Sequence, residues 1–124
     1  MVLAVAALAC AQDRGSGRAR PPDDLPCSRD QLTAYMGEVA EYSRTADAAK
    51  LTIHTDWRTI ETAELLPRAG EPIEDRFRID GEPFTAEDFS QIEAEPGRLK
   101  PGMRANVWVC EDSGPVLVDW RPKP

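Results

Sequence analysis

Residues 103 to 120 constrain the fold more than any other stretch of this chain. Met103, Ala105, Val107 and Val109 alternate with Arg104, Asn106, Trp108 and Cys110, the period of two that a strand requires. After the polar turn Glu111-Asp112-Ser113-Gly114-Pro115, a second run places Val116, Val118 and Trp120 on one side. Gly and Pro between two alternating runs mark a hairpin. The face carrying Trp108 and Cys110 is apolar enough to require a cover, which the segment from Cys27 to Met36 supplies through Leu32, Tyr35 and Met36.

Cysteine usage reaches the same segment. The chain has three cysteines, at positions 10, 27 and 110. Removing or acylating Cys10 leaves Cys27 and Cys110 as one pair near the two ends of a domain. A bridge between them closes a loop that, in the chain-entropy account, adds about 4 kcal/mol of stability. The alternative is a pair of buried free thiols.

Residues 1 to 10 are apolar or small and carry no charge, and Gln12-Asp13-Arg14 ends the run soon after. That length is too short to span a bilayer and follows the grammar of an export signal. Ala7-Leu8-Ala9-Cys10 resembles a bacterial lipobox, which implies cleavage before Cys10 and acylation of its thiol. The same residues also satisfy the rule for ordinary cleavage, giving a soluble secreted product. Residues 11 to 26 mix Gly, Ser, Pro and charge with almost nothing to bury and read as a disordered tether. What remains, residues 27 to 124, suits one small domain. The net charge of -7 opposes nucleic acid as a partner, and contact with a membrane is expected through the lipid anchor only.

Within that domain, Ser28-x-x-Gln31 forms a capping box, and Leu32, Tyr35 and Met36 follow at helical spacing, predicting a short helical turn ended by Gly37. From Gly37 to Arg44 the period becomes two. A second strand follows with Leu51, Ile53, Thr55 and Trp57 on one face, and Thr59 to Leu65 continues or bends it. Phe77 to Ile79 is a third strand entering an Asp80-Gly81 turn. Thr85, Glu87 and Asp88 open a helix whose buried side is Phe89 and Ile92, and Pro96-Gly97 stops it.

The expected class is mainly β: five strands, with one helix between the third and fourth, the order of an OB-type barrel. The segments Gly37-Glu38-Val39, Leu51-Thr52-Ile53, and Leu99 with Gly102 and Val107 make residues 37 to 120 similar to the small extracytoplasmic OB-fold proteins of bacteria. That resemblance implies a five-stranded OB-like barrel and carries topology better than activity. An SH3-like barrel is the competing architecture.

Few residues point to chemistry. His54 is the only histidine. Leu51-Thr52-Ile53-His54 with Trp57 resembles part of the Cu(I) site of periplasmic copper-efflux metallochaperones, which implies His54 as a metal ligand. The M-x-M pair of that family is absent, however, and Cu(I) needs clustered soft donors. No nucleophile elbow and no phosphate loop occur in the chain, and the abundant paired carboxylates follow from an acidic composition. An OB barrel binds across its second and third strands, where Trp57, Arg58, Arg76 and Arg78 would line the face. Trp57 also fits the core by parity with Leu51 and Ile53. The sequence therefore predicts an exported, lipid-anchored, non-catalytic binding module of a bacterial envelope. It needs no cofactor, and its partner is an envelope protein or a small ligand. A metal-binding protein centred on His54 is one alternative and an envelope enzyme is another.

Overall fold

The computed structural model describes residues 25 to 122, so the expected export signal, Cys10 and most of the expected tether lie outside the described residues. The fold is mainly β. A seven-stranded mixed sheet is ordered β3-β2-β1-β8-β9-β4-β5, and β6 with β7 forms a separate two-stranded ladder. The strands are β1 (Leu32–Arg44), β2 (Ala49–Thr55), β3 (Ile60–Leu65), β4 (Phe77–Ile79), β5 (Glu82–Pro83), β6 (Glu93–Glu95), β7 (Arg98–Leu99), β8 (Arg104–Cys110) and β9 (Gly114–Arg121). Among the described residues the one α-helix is a single turn, α1 (Phe89–Ile92). No helix among the described residues is long and apolar enough to cross a membrane.

β1 organises the sheet. Its first half pairs with β8, from Leu32 opposite Cys110 to Glu38 opposite Arg104, and its second half pairs with β2, from Gly37 opposite Thr55 to Arg44 opposite Ala49. The strand changes partners at Gly37, which is buried between them. A Cβ there would collide with the His54 carbonyl oxygen and come within 2.7 Å of the Thr55 Cα. Gly37 is therefore not the end of a helix, as its sequence context suggests. It is the point where β1 lies close against the backbone of β2, and only a residue without a side chain fits.

The predicted N-terminal helical turn shrinks to Arg29–Gln31, and Ser28 makes no side-chain cap. Leu32, Tyr35 and Met36 belong to β1. Pairing with β8 gives one edge of this extended segment a continuous ladder, which a helix this short cannot match. The helix expected after Thr85 is also brief. A 3-10 turn (Ala86–Asp88) leads into α1, and the Thr85 amide donates to Asp88 Oδ2 at 2.8 Å. Beyond Ile92 the chain is extended, and Pro96-Gly97 turns the β6–β7 hairpin instead of stopping a helix.

The Asp80-Gly81 turn behaves as read. Both residues have positive φ, 49° and 83°, the geometry that joins two strands across a two-residue loop. The turn is anchored to β9: the Gly81 amide donates to Asp119 Oδ1 at 2.9 Å and the Asp80 amide to the Trp120 carbonyl at 2.9 Å.

Five strands were expected, but the hydrogen-bonded ladder runs through seven and has two ends, β3 and β5. β3 packs against β9 without a ladder between them, while β4 pairs parallel to β9. The main core includes Leu51, Ile53, Ile73, Phe77, Ile92, Val107, Val118 and Trp120, all fully buried. Edge-to-face contacts of Phe77 with Phe84 and Trp120, at 5.3 and 5.4 Å between ring centres, knit β4 to the residue after β5 and to β9.

A second, smaller core lies on the other face of β8 and β9. Trp108, Cys110, Val116 and Leu117 are buried there against Leu25, Cys27, Leu32 and Ala34. The N-terminal segment does cover Trp108, but Ala34, Leu25 and Cys27 do so alongside Leu32, while Tyr35 packs on the main core. Val116 also departs from its expected face. A bulge opposite Trp108 and Val109 inserts one residue into β9, which inverts the alternation. Val118 and Trp120 stay in the main core and Val116 joins the second. Cys27 and Cys110 form a disulfide with Cα atoms 6.0 Å apart, across 83 residues of sequence.

Candidate functional site

The four residues expected to share one binding face fall at two places. Trp57 and Arg58 lie in the turn between β2 and β3, while Arg76 and Arg78 flank Phe77 at the start of β4. The six residues of β3 separate the turn from Leu66 beside the arginines, about 20 Å at ~3.3 Å per residue.

At the turn, parity fails because β2 stops at Thr55. The Thr55 amide donates to the Thr59 carbonyl at 2.9 Å, the Arg58 amide donates to the Thr55 carbonyl at 3.0 Å, and the two threonine hydroxyls meet at 2.7 Å. Arg58 takes a left-handed conformation with φ of 68°. Trp57 is thereby expelled from the core face and stands 62% exposed, beside Ile60 at 68%. Asp56 ties the turn back to the sheet: its amide donates to the Met36 carbonyl at 2.9 Å, and Arg104 Nη2 reaches its carboxylate at 2.7 and 2.8 Å. The result is a large aromatic ring on a well-held turn, which loses little conformational freedom when a ligand stacks on it.

His54 points outward in the same region, opposite Ile60 on one side and Glu38 on the other. Among the described residues no group of three or more His, Cys, Asp or Glu side chains gathers as a metal site. Met103 is buried in the main core.

Arg76 and Arg78 enter a groove of about 540 Å³ that runs between the start of β4 and the β8–β9 turn. Arg76 is braced by Glu71, with 3.0 Å from Nη2 to Oε1, and by the Val116 carbonyl at 3.4 Å from Nη1. Partial burial raises the Glu71 carboxyl, but the Arg68 amide and the Arg76 guanidinium outweigh it and leave the group below its ordinary value. Arg78 Nη1 donates to the Phe77 carbonyl at 3.1 Å.

One polar cluster was invisible in the sequence. Glu93 is buried at the start of β6, where Arg44 Nε, Arg44 Nη2 and the Tyr42 hydroxyl donate to it at 2.6, 2.8 and 2.5 Å. The Gly97 amide adds a fourth bond at 3.2 Å. Burial raises the Glu93 carboxyl, and these donors overcome it and hold the group below its usual range; burial and the neighbouring carboxylate push the Tyr42 hydroxyl up. The Arg44 guanidinium also lies 3.9 Å from the centre of the Phe89 ring. The cluster fastens β1 to β6 and α1. No local motif marks it, because its members come together only through the fold.

Comparison with protein-family models, curated proteins and solved structures finds no match to this chain.

Proposed function

We propose that this chain is an exported, lipid-anchored, non-catalytic binding or accessory module of a bacterial cell envelope, built as an OB-type roll. The observation that carries it is the Cys27–Cys110 bridge, because such bonds persist in oxidising compartments and are reduced in the cytosol. The apolar leader ending at Cys10 agrees with that compartment. The OB-type reading draws on a first strand shared by β2 and β8, a parallel β4–β9 pairing and a helical segment between β4 and β8. Binding draws on Trp57, exposed on the braced turn that joins β2 to β3, the pair of strands across which an OB-type domain takes its ligands.

Fractionation of a bacterium making the full chain tests this reading. The mature protein is expected in the membrane fraction, with Cys10→Ala releasing it to the soluble periplasm. A full-length, unprocessed product in the cytosol overturns export, and an unchanged distribution of Cys10→Ala overturns the lipid anchor.

A further inference from the structure

The second core is a row of side chains on one sheet face, covered from outside the sheet. Trp108 stands opposite Ala34 on β1 and Leu117 on β9, and Cys110 stands opposite Leu32, so these neighbours flank the indole within the sheet. Among the described residues, Leu25 and Cys27 are the members of this cluster that lie outside any strand. Leu25 and Pro26 also line a groove with Val116 and Leu117. The hydrogen bonds described for residues 25 to 30 are local: the Gln31 amide donates to the Ser28 carbonyl at 3.0 Å, and the Leu32 amide donates to the Arg29 carbonyl. The Glu111 amide, at 2.8 Å from the Gln31 carbonyl, makes the first bond from this segment to the β8–β9 turn. Upstream of Gln31 the cover is held by packing and by the bond from Cys27 to Cys110. Covering also carries a cost. Trp108 Nε1 is buried without an acceptor, and such a donor loses its hydration with nothing in return. The main core is a separate cluster, and the β1–β8 ladder begins at Leu32, past the cover.

We propose that the Cys27–Cys110 bond is a redox latch: a dithiol reductant opens it, residues 25 to 30 lift away as a strap, and Trp108 meets solvent while the main core stays folded. Cys27 is half-buried and Cys110 fully buried, so one thiolate of the dithiol attacks Cys27 Sγ. The S–S bond breaks and Cys110 Sγ leaves with the electron pair. The second thiolate of the reductant then displaces Cys27 Sγ, the reductant ends as a disulfide, and its two protons pass to the two cysteine sulfurs. Opening rehydrates Trp108 Nε1, which favours the lifted strap once the bond is gone. The module thus shows this apolar face only where a dithiol reaches it. The latch goes beyond the binding reading and shares with it only the existence of the bond. A strap that stays closed after reduction of an exported, oxidised protein refutes the latch alone.

Acrylamide quenching of the full chain carrying Trp57→Phe provides the test, since Trp108 and Trp120 are then its tryptophans. Reduction with dithiothreitol should raise the quenching constant at least about threefold, as a local opening does, and oxidised glutathione should reverse the change. In a chain carrying both Trp57→Phe and Trp108→Phe the constant should not change on reduction, because Trp120 lies in the main core. Amides of β2 should stay protected from hydrogen exchange in the reduced protein. Cys27→Ser in the Trp57→Phe chain should show the raised constant without reductant. An unchanged constant when alkylation in denaturant finds both thiols free, or a shielded Trp108 in Cys27→Ser, overturns the strap. Quenching of Trp120 on reduction, or loss of β2 protection, means that the whole domain opens, and it overturns the latch.

Discussion

Arg44 and Glu93 meet in a two-point contact, with 2.6 Å from Nε to Oε2 and 2.8 Å from Nη2 to Oε1. The carboxylate is nearly closed off from solvent, its side chain only 3% exposed against 20% for the arginine. Such a pair repays its desolvation only when the remaining lone pairs are satisfied, and the Tyr42 hydroxyl and the Gly97 amide do this.

Losing that carboxylate should therefore cost more than a surface ion pair would. Glu93→Ala strands Arg44 and Tyr42 in a partly buried site, and a loss of about 2–4 kcal/mol is expected in urea unfolding near pH 7. The pH dependence follows from the direction of the shift. Glu93 titrates below its reference value of 4.5 in the folded chain, so its contribution is complete above that value and disappears as pH falls through the folded value. Wild type should lose stability over that acid window, and Glu93→Ala should lose less. Parallel acid profiles for the two proteins would remove Glu93 from the account.

Gly37 makes a different demand. The approach of the His54 carbonyl leaves no space for a Cβ, and backbone, unlike a side-chain tip, cannot move aside cheaply. Gly37→Ala should destabilise by about 1–3 kcal/mol or more, as overpacking does, whereas Ala40→Gly on the exposed part of the same strand should cost about 1 kcal/mol or less. Chemical denaturation of both variants checks the contrast.

Trp57 should matter to binding and not to folding. It is 62% exposed, while Trp108 and Trp120 are buried, so Trp57→Ala should alter stability by less than about 0.5 kcal/mol. The same change should remove most of the fluorescence that acrylamide quenches in the native protein. A large loss of stability would show that the ring packs inward after all.

The difference between what was legible and what was not follows from the range of the interactions. The closing hairpin, the Asp80-Gly81 turn and the cysteine pair are written in local pattern or simple counting, and they stand in the structure. Leu32, Tyr35 and Met36 have a spacing that suits a helix, yet they lie in β1 because β8 offers a partner, a choice that tertiary pairing makes. Trp57 and Val116 share one cause: a turn in the first case and a bulge in the second breaks the period of two, and neither carries a strong local signature. The Glu93 cluster gathers residues about fifty positions apart, and only the completed sheet brings them together. The arginine groove was half legible, since Arg76 and Arg78 were singled out but belong with Leu66 and Leu117 and not with Trp57.

The claim on which the account turns is that the domain is closed by a bond between Cys27 and Cys110, formed where the protein works. Opening that bond should lower stability by about 4 kcal/mol on chain-entropy grounds, and the melting temperature by more than about 10 °C for a domain of this size. The most direct measurement is peptide mapping without reduction, after rapid alkylation of the protein made in cells. The account predicts a linked pair of peptides containing Cys27 and Cys110, with neither thiol alkylated. Recovery of both cysteines in alkylated form from folded protein would contradict it.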